Sequence, residues 1–168
     1  MLKKEVAHGP CGRVLVMDSI TKVTPQDEGC MVVSASHGGA SSGEFALEVP
    51  LRVVFFNDAG VGKDDAGIAS LHMLEAKGVA GGTVSHTSAR IGDSQDMWDH
   101  GVVSHVNATA KALGIAPGQA SRPSSRSSQA SESRMGCVDT CWLRVGCVAG
   151  VRRPPARWRC DAVQSGVT

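Results

Sequence analysis

Short apolar runs rich in β-branched residues alternate along this chain with stretches of helical spacing, and this alternation constrains the fold most strongly. The runs are GRVLVMDS (12–19), CMVVSAS (30–36), LRVVFFNDA (51–59) and VAGGTVSH (79–86). Runs of this length without polar alternation are typical of strands buried on both faces. Strands that alternate with helices favour a mostly parallel sheet, because each parallel connection needs a crossover. The sequence therefore predicts a small three-layer, Rossmann-like α/β domain with about four strands.

The segments between these runs carry helix start and stop signals. Asp and Thr favour the N-cap position, Pro the first helical position, and Gly the position just past the end. The predicted helical segments are a short turn from Thr24 to Gly29, a helix within 43–49 that Pro50 ends, a helix capped by Asp64 or Asp65 that Gly78 ends, a helix from the cap Asp93 to Gly101, and a helix over 102–114 that Gly114 ends. Helical crossovers are thus expected between the strands.

The composition of the chain changes after Gly118. Residues 1–118 carry nine Lys and Arg against thirteen Asp and Glu, whereas residues 119–168 carry eight Arg against three acidic residues. The periodic pattern also ends there, and SRPSSRSSQASESR has the composition of a disordered segment. An apolar fraction of 42% over 168 residues supports one core. We expect a domain over 1–118 and a disordered or poorly packed tail over 119–168, whose composition resembles a frameshifted end.

Charge and hydropathy limit the classes of molecule that this chain is expected to bind. A formal charge of +1 favours no strongly charged partner, so we expect no nucleic-acid partner. The tail cysteines lack the close C-x₂-C pair of common zinc modules, so we expect no metal site there. No apolar run approaches the roughly 18 residues of a membrane span, and the N-terminus lacks a signal-peptide pattern. We therefore expect a cytoplasmic protein with reduced thiols and no membrane partner. An exposed edge of so small a sheet favours a homo-oligomer.

The stretch FFNDAGVGKDDAG has the strand, the glycine-rich turn and the lysine of a nucleotide-binding loop. Such a loop requires G-x-x-x-x-G-K-[ST], whose amides hold phosphates and whose hydroxyl binds Mg²⁺. Alignment on Gly62 and Lys63 puts Asn57 in place of the first Gly and Asp64 in place of the hydroxyl. Because a carboxylate repels a triphosphate, we interpret the stretch as a strand-to-helix turn rather than a nucleotide loop.

Polar, glycine-containing blocks follow three of the four predicted strands. Since parallel strands end at one edge of a sheet, and ligands bind in the crevice there, these blocks should form one site. We expect that site to bind a small polar or anionic metabolite. Its predicted ligand-binding residues are His37, Gly38, Gly39, Asn57, Gly60, Gly62, Ser88 and Arg90.

The first block has a sharper interpretation. VVSASHGGASSG resembles the nucleophile elbow of α/β-hydrolases, in which a strand runs into a tight turn that bears Ser. This resemblance implies hydrolysis with Ser36 as nucleophile, His86 as base and Asp58 as the acid that orients the imidazole. The chain departs from the family at Ser34, which replaces the first Gly of G-x-S-x-G. The family's earlier strands also do not fit into the residues that precede the elbow.

A second resemblance covers most of the ordered pattern. The blocks SHGG, NDAGVG and SARIGD, followed by GVVSHVNATAKALG, are similar as a set to a small uncharacterised bacterial family. This resemblance spans residues 18–118 and implies a stand-alone α/β domain that ends near Gly118. It implies no activity.

Two other functions use the same residues. His37, Asp58 and His86 together would suit a divalent ion such as Zn²⁺, Mn²⁺ or Fe²⁺. We expect no cofactor, because no local motif supports a metal site, and keep a metal-dependent enzyme as an alternative. Arg90, Lys63 and glycine amides at helix N-termini could instead hold a carboxylate or a single phosphate. A non-catalytic binding or structural subunit is therefore the other alternative.

Overall fold

The computed structural model describes residues 1–9 and 12–121, which build one six-stranded sheet whose strands follow each other in chain order. The strands are β1 (Lys3–Gly9), β2 (Gly12–Met17), β3 (Met31–His37), β4 (Val53–Asn57), β5 (Ala80–Val84) and β6 (Val103–Val106). The helices are α1 (Ala40–Leu47), α2 (Ser70–Ala76), α3 (Ser94–His100) and α4 (Ala108–Ala112), with 3-10 turns over Ile20–Lys22, Pro25–Asp27 and Lys63–Ile68. The α/β class is confirmed, and the predictions for residues 122–168 lie outside the described residues.

The centre of the sheet is parallel and its two edge pairs are antiparallel. β2, β3, β4 and β5 pair in parallel, while β1 pairs antiparallel with β2 and β6 antiparallel with β5. These four central strands are the four that the sequence predicts. Their carboxyl ends therefore reach the same edge, which we call the carboxyl edge.

Apolar clusters cover both faces of the sheet. Neighbouring residues of a strand point to opposite faces, and in β4 Val53 and Phe55 belong to one cluster while Val54 and Phe56 belong to the other. The first cluster includes Met97 and Trp98 of α3, and the second includes Ala46 of α1 and Leu74 of α2. Within residues 1–9 and 12–121, no helix has the length and apolar character needed to cross a bilayer.

The predicted count of four strands is wrong, because two edge strands flank the parallel centre. β1 holds charged residues that the apolar pattern does not mark as a strand. The helix predicted over 102–114 is wrong in its first half, since Val103 and Val106 lie in β6 and pack into the core. The helix is confined to α4, where the Asn107 side chain accepts from the Ala110 N–H at 2.9 Å. Spacing of three residues fits both elements, and pairing with β5 decides between them.

The predicted cap at Asp64 or Asp65 is also wrong. Both residues have positive φ, 55° and 59°, and neither side chain caps a helix. The helix α2 begins later, at Ser70. The cap predicted at Asp93 is confirmed, because its Oδ1 accepts from the Asp96 N–H at 3.0 Å.

Gly82 leaves no room for a side chain on β5. A Cβ atom at this position would lie 2.6 Å from Cε1 of the Phe55 ring and 3.2 Å from the carbonyl oxygen of His105. We expect Gly82→Val to lower the free energy of unfolding by about 1–3 kcal/mol, because the core must shift to admit the added methyl groups. Urea unfolding measures this loss. An unchanged midpoint and slope would contradict the packing of β5 against Phe55.

Candidate functional site

A short hydrogen-bonded pair, Asp58 with His86, lies at the carboxyl edge. β4 ends at Asn57 and β5 at Val84, which are partners in register, so the residues that follow them come close together. Oδ1 of Asp58 accepts from the His86 ring at Nδ1 (2.8 Å), from the His86 backbone N–H (3.0 Å) and from the Gly60 N–H (3.0 Å). Three donors therefore fix this carboxylate.

The pair combines a buried acid with a half-exposed ring. Asp58 is 3% exposed, whereas the His86 side chain is 50% exposed. Burial alone would raise the pKa of Asp58. Hydrogen bonds from Gly60, from the His86 backbone and ring, and from the Ser104 hydroxyl outweigh burial and hold that pKa below its ordinary value. Asp58 is therefore charged at neutral pH, and it orients an imidazole that solvent reaches.

This lowered pKa has a consequence for stability in acid. A carboxyl group with a lower pKa in the folded chain stabilises the fold above its unfolded pKa of about 3.9, and this stabilisation is lost as pH falls through the folded value. We expect the free energy of unfolding to fall below about pH 4 more steeply for the wild-type protein than for Asp58→Asn. Urea unfolding at several acidic pH values compares the two slopes. Parallel curves would contradict the role given to Asp58.

Ser36 lies inside β3 and not in the turn that follows this strand. Its hydroxyl accepts a hydrogen bond from the Ile20 N–H at 3.0 Å, and its φ is not positive. β4 lies between β3 and β5, so about two strand spacings, roughly 10 Å, separate the backbones of Ser36 and His86. The structure brings Asp58 and His86 together and leaves the Ser36 hydroxyl bonded to a different segment.

His37 is exposed at the end of β3. Its Nδ1 atom accepts from the Gly39 N–H at 3.0 Å. A Cβ atom at Gly39 would lie 2.7 Å from that nitrogen and 3.2 Å from the Ala66 carbonyl oxygen, and one at Gly38 would lie 2.7 Å from the Gly67 carbonyl oxygen. Both glycines therefore let the turn after β3 pack against residues 66–67, and the His37 ring lies at this contact.

Two of the predicted ligand-binding residues use their polar side chains within the protein. Asn57 is fully buried, donates to the Ala89 carbonyl at 3.1 Å and accepts from the Ala59 N–H at 2.9 Å. The Ser88 hydroxyl donates to the Ser85 carbonyl at 2.8 Å. Both side chains hold the turns that carry Asp58 and His86.

Arg90 is exposed, and its backbone bonds a second Asp–His pair, which lies on α3. Its backbone N–H donates to Oδ2 of Asp96 at 2.7 Å, and Oδ1 of Asp96 accepts from Nδ1 of His100 at 2.8 Å. The Arg90 N–H, followed by the His100 ring, lowers the pKa of Asp96. This exposed pair has the same Nδ1 to Oδ1 distance as Asp58 with His86. It therefore supplies a matched control for the site.

The connection that follows β4 is strained where it passes the site. Six of its residues have positive φ: Ala59, Gly60, Val61, Gly62, Asp64 and Asp65. In a residue other than glycine this conformation costs roughly 1–2 kcal/mol, and such strain clusters at ligand sites and switch regions. The loop also contacts the pair, since a Cβ atom at Gly60 would lie 3.7 Å from Cε1 of His86. Gly60 thus shapes the wall of the site, whereas the Cβ position of Gly62 faces only the Gly67 N–H.

The sequence does not predict a cluster of hydroxyl groups that lies beside Asp58. Oγ1 of Thr83 lies 3.1 Å from Oγ of Ser104, which lies 3.1 Å from Nδ1 of His105. Ser104 also helps to lower the pKa of Asp58. The cluster joins β5 to β6, and assigning the β6 segment to a helix hides this proximity.

The metal alternative gains no support from the described part of the chain, where no three His, Cys, Asp or Glu side chains are grouped so that they could hold an ion. Comparison of the chain with protein-family models, with curated proteins and with solved structures gave no match. Both resemblances noted in the sequence therefore stay predictions.

Proposed function

We propose that the protein binds a small polar metabolite at the carboxyl edge and hydrolyses it. In this proposal His86 is the general base, and Asp58 orients the His86 ring and compensates the positive charge that develops on it. The hydrogen bond of 2.8 Å between Asp58 and the half-exposed His86 supports this proposal most directly. A buried carboxylate behind an accessible imidazole is the arrangement that general-base catalysis uses. The strained, glycine-containing wall beside the ring is typical of a ligand site.

The path of the proton depends on which ring nitrogen of His86 bonds Asp58. The carboxylate of Asp58 can only accept, so the Nδ1 atom of His86 carries the proton of that hydrogen bond. Neutral His86 then has its lone pair on Nε2, which makes no hydrogen bond to the described residues. Nε2 takes a proton from a water molecule as that water attacks the substrate. Asp58 stabilises the imidazolium that forms, and Nε2 then returns the proton to the leaving group.

Water is the nucleophile in this proposal, and Ser36 is the competing one. The Ser36 hydroxyl is bonded to Ile20, and β4 separates its strand from that of His86. We therefore expect a fluorophosphonate probe to leave Ser36 unlabelled under conditions that label a serine hydrolase used as a positive control. Mass spectrometry of the treated protein checks this. Labelling that Ser36→Ala abolishes would replace the water mechanism with a serine nucleophile.

Hydrolysis of p-nitrophenyl acetate tests the proposal as a whole. Asp58→Asn keeps the His86 imidazole and removes the carboxylate behind it, so a loss of rate in this variant separates the pair from the weak catalysis that any exposed imidazole gives. Asp96→Asn makes the same change in the exposed pair with His100 and should leave the rate unchanged. Equal rates for both variants and the wild-type protein would contradict the proposal and favour a non-catalytic binding protein.

A further inference from the structure

Two imidazoles lie at the carboxyl edge, at the ends of the strands on either side of β4. His37 ends β3, and His86 follows β5 by two residues. Each ring uses Nδ1 within its own turn, His86 toward Asp58 and His37 toward the Gly39 N–H. Among the described residues neither Nε2 atom has a hydrogen-bond partner. Both Nε2 atoms are therefore available to a ligand.

The two turns impose opposite tautomers. Asp58 accepts at Nδ1 of His86, so neutral His86 carries its hydrogen there and presents a lone pair at Nε2. The Gly39 N–H donates to Nδ1 of His37, so that nitrogen must hold the lone pair and the hydrogen of neutral His37 lies on Nε2. One ring thus offers an acceptor and the other a donor.

Both rings border the same connection. The His86 ring lies 3.7–3.9 Å from the Cβ position of Gly60, near the start of the connection after β4. The His37 ring lies against the Cβ position of Gly39, which is itself 3.2 Å from the Ala66 carbonyl, near the end of that connection. The connection thus borders both rings, and about two strand spacings, roughly 10 Å, separate the two strands that precede them.

The charges at this place favour an uncharged ligand. Asp58 contributes a buried negative charge held there by three donors. The connection adds Asp64 and Asp65 against Lys63. The carboxylates of Asp58, Asp64 and Asp65 disfavour a phosphate ester, whereas a carbonyl group needs only one donor and one activated water.

We infer that His37 is a second catalytic residue, which donates from Nε2–H to the carbonyl oxygen of a neutral carboxylic ester or amide while His86 activates the attacking water. This inference rests on the proposed hydrolytic function and assigns its substrate class. It also explains why the turn after β3 fixes the His37 ring through the Gly39 N–H.

The reaction balances with these two residues and water. The water oxygen bonds to the carbonyl carbon as its proton moves to Nε2 of His86, and the negative charge that develops on the carbonyl oxygen is stabilised by Nε2–H of His37. The bond from carbon to the leaving group then breaks. The leaving oxygen or nitrogen receives the proton from His86, so the products are a carboxylic acid and an alcohol or amine.

Imidazole nitrogen NMR tests the tautomers without any substrate. Long-range ¹H–¹⁵N spectra at about pH 8.5, where an ordinary imidazole is neutral, should show the hydrogen on Nε2 of His37 and on Nδ1 of His86. His37→Ala and His86→Gln assign the two sets of signals. Gly39→Ala should release the His37 tautomer, because the added Cβ would lie 2.7 Å from its Nδ1. The same tautomer in both rings of the wild-type protein would overturn the inference.

Kinetics with p-nitrophenyl acetate test the role of His37. We expect His37→Ala to lower kcat/KM about 10²-fold, as loss of one donor to an oxyanion does, and His37→Gln, which keeps an N–H, to lose less. Wild-type activity with an unchanged rate in His37→Ala would overturn this inference alone. Absence of wild-type activity would overturn the proposed hydrolysis, and with it the catalytic role of His37, whatever tautomers the spectra show.

Discussion

His86→Gln is expected to lower kcat/KM for p-nitrophenyl acetate by about 10²- to 10⁴-fold, the range that removal of a general base produces. The ring is the group that accepts the proton of the attacking water, and glutamine has no basic nitrogen. Asp58, His37 and the strained loop remain in this variant. Residual activity should therefore come from binding and from the His37 donor alone.

His100→Gln is the matched control for this variant. His100 also bonds a carboxylate through Nδ1 at 2.8 Å, but it lies on α3 and its partner Asp96 is partly exposed. The same substitution there should leave the rate unchanged and the fold intact. A similar fall in both variants would show that imidazoles on the surface, rather than the Asp58–His86 pair, account for the hydrolysis.

Phe56→Ala is expected to have the largest effect on stability, about 3–5 kcal/mol of unfolding free energy. The side chain is fully buried in the cluster that α1 and α2 cover, and its Cβ lies 3.5 Å from the Cβ position of Gly38. Truncation to Ala keeps that Cβ atom but removes a buried ring and leaves a cavity within the cluster. Since small domains are stable by about 5–15 kcal/mol, the variant should be close to unfolding.

Urea unfolding of the full chain measures this effect, and Phe45→Ala is its control. Phe45 lies on α1 but is 39% exposed, so its truncation should change the free energy of unfolding by much less. Equal losses in the two variants would contradict the assignment of Phe56 to the core.

The parallel centre of the fold could be predicted because its strands are visible as apolar runs in the sequence. β2, β3 and β4 are apolar on both faces. This local pattern predicts that layers cover both faces of the sheet and that the strands run parallel. β5 could be found despite Gly81 and Gly82, whose missing side chains make room for the rings and methyl groups of Phe55 and Leu74. The carboxyl edge, and with it the meeting of Asp58 and His86, followed from strand direction alone.

The edge strands could not be predicted in the same way. β1 has exposed charges and is held by pairing with β2, and β6 is held by pairing with β5. Backbone pairing of this kind depends on the partner strand and leaves little trace in the periodicity of the edge strand itself. The place of Ser104 beside Asp58 was hidden for this reason.

The details of the site depend on contacts between residues that lie apart in the chain. A glycine-rich turn predicts close packing or a ligand equally well, and only the contacts of Gly38 and Gly39 with residues 66–67 distinguish the two. Asn57 looked like a ligand-binding residue because it ends a strand, yet its amide spans two turns. The role predicted for Ser36 depended on a resemblance, and side-chain direction within β3 is decided by the pleat and by the neighbouring Ile20 N–H.

A kinetic double-mutant cycle on Asp58 and His86 tests whether the two residues act as one catalytic unit. Rates for p-nitrophenyl acetate are measured for the wild-type protein, Asp58→Asn, His86→Gln and the double variant. Because Asp58 acts only through the His86 ring, the double variant should be no slower than His86→Gln alone. A double variant slowed by the product of the two single losses would show that the residues act independently and not as one catalytic unit.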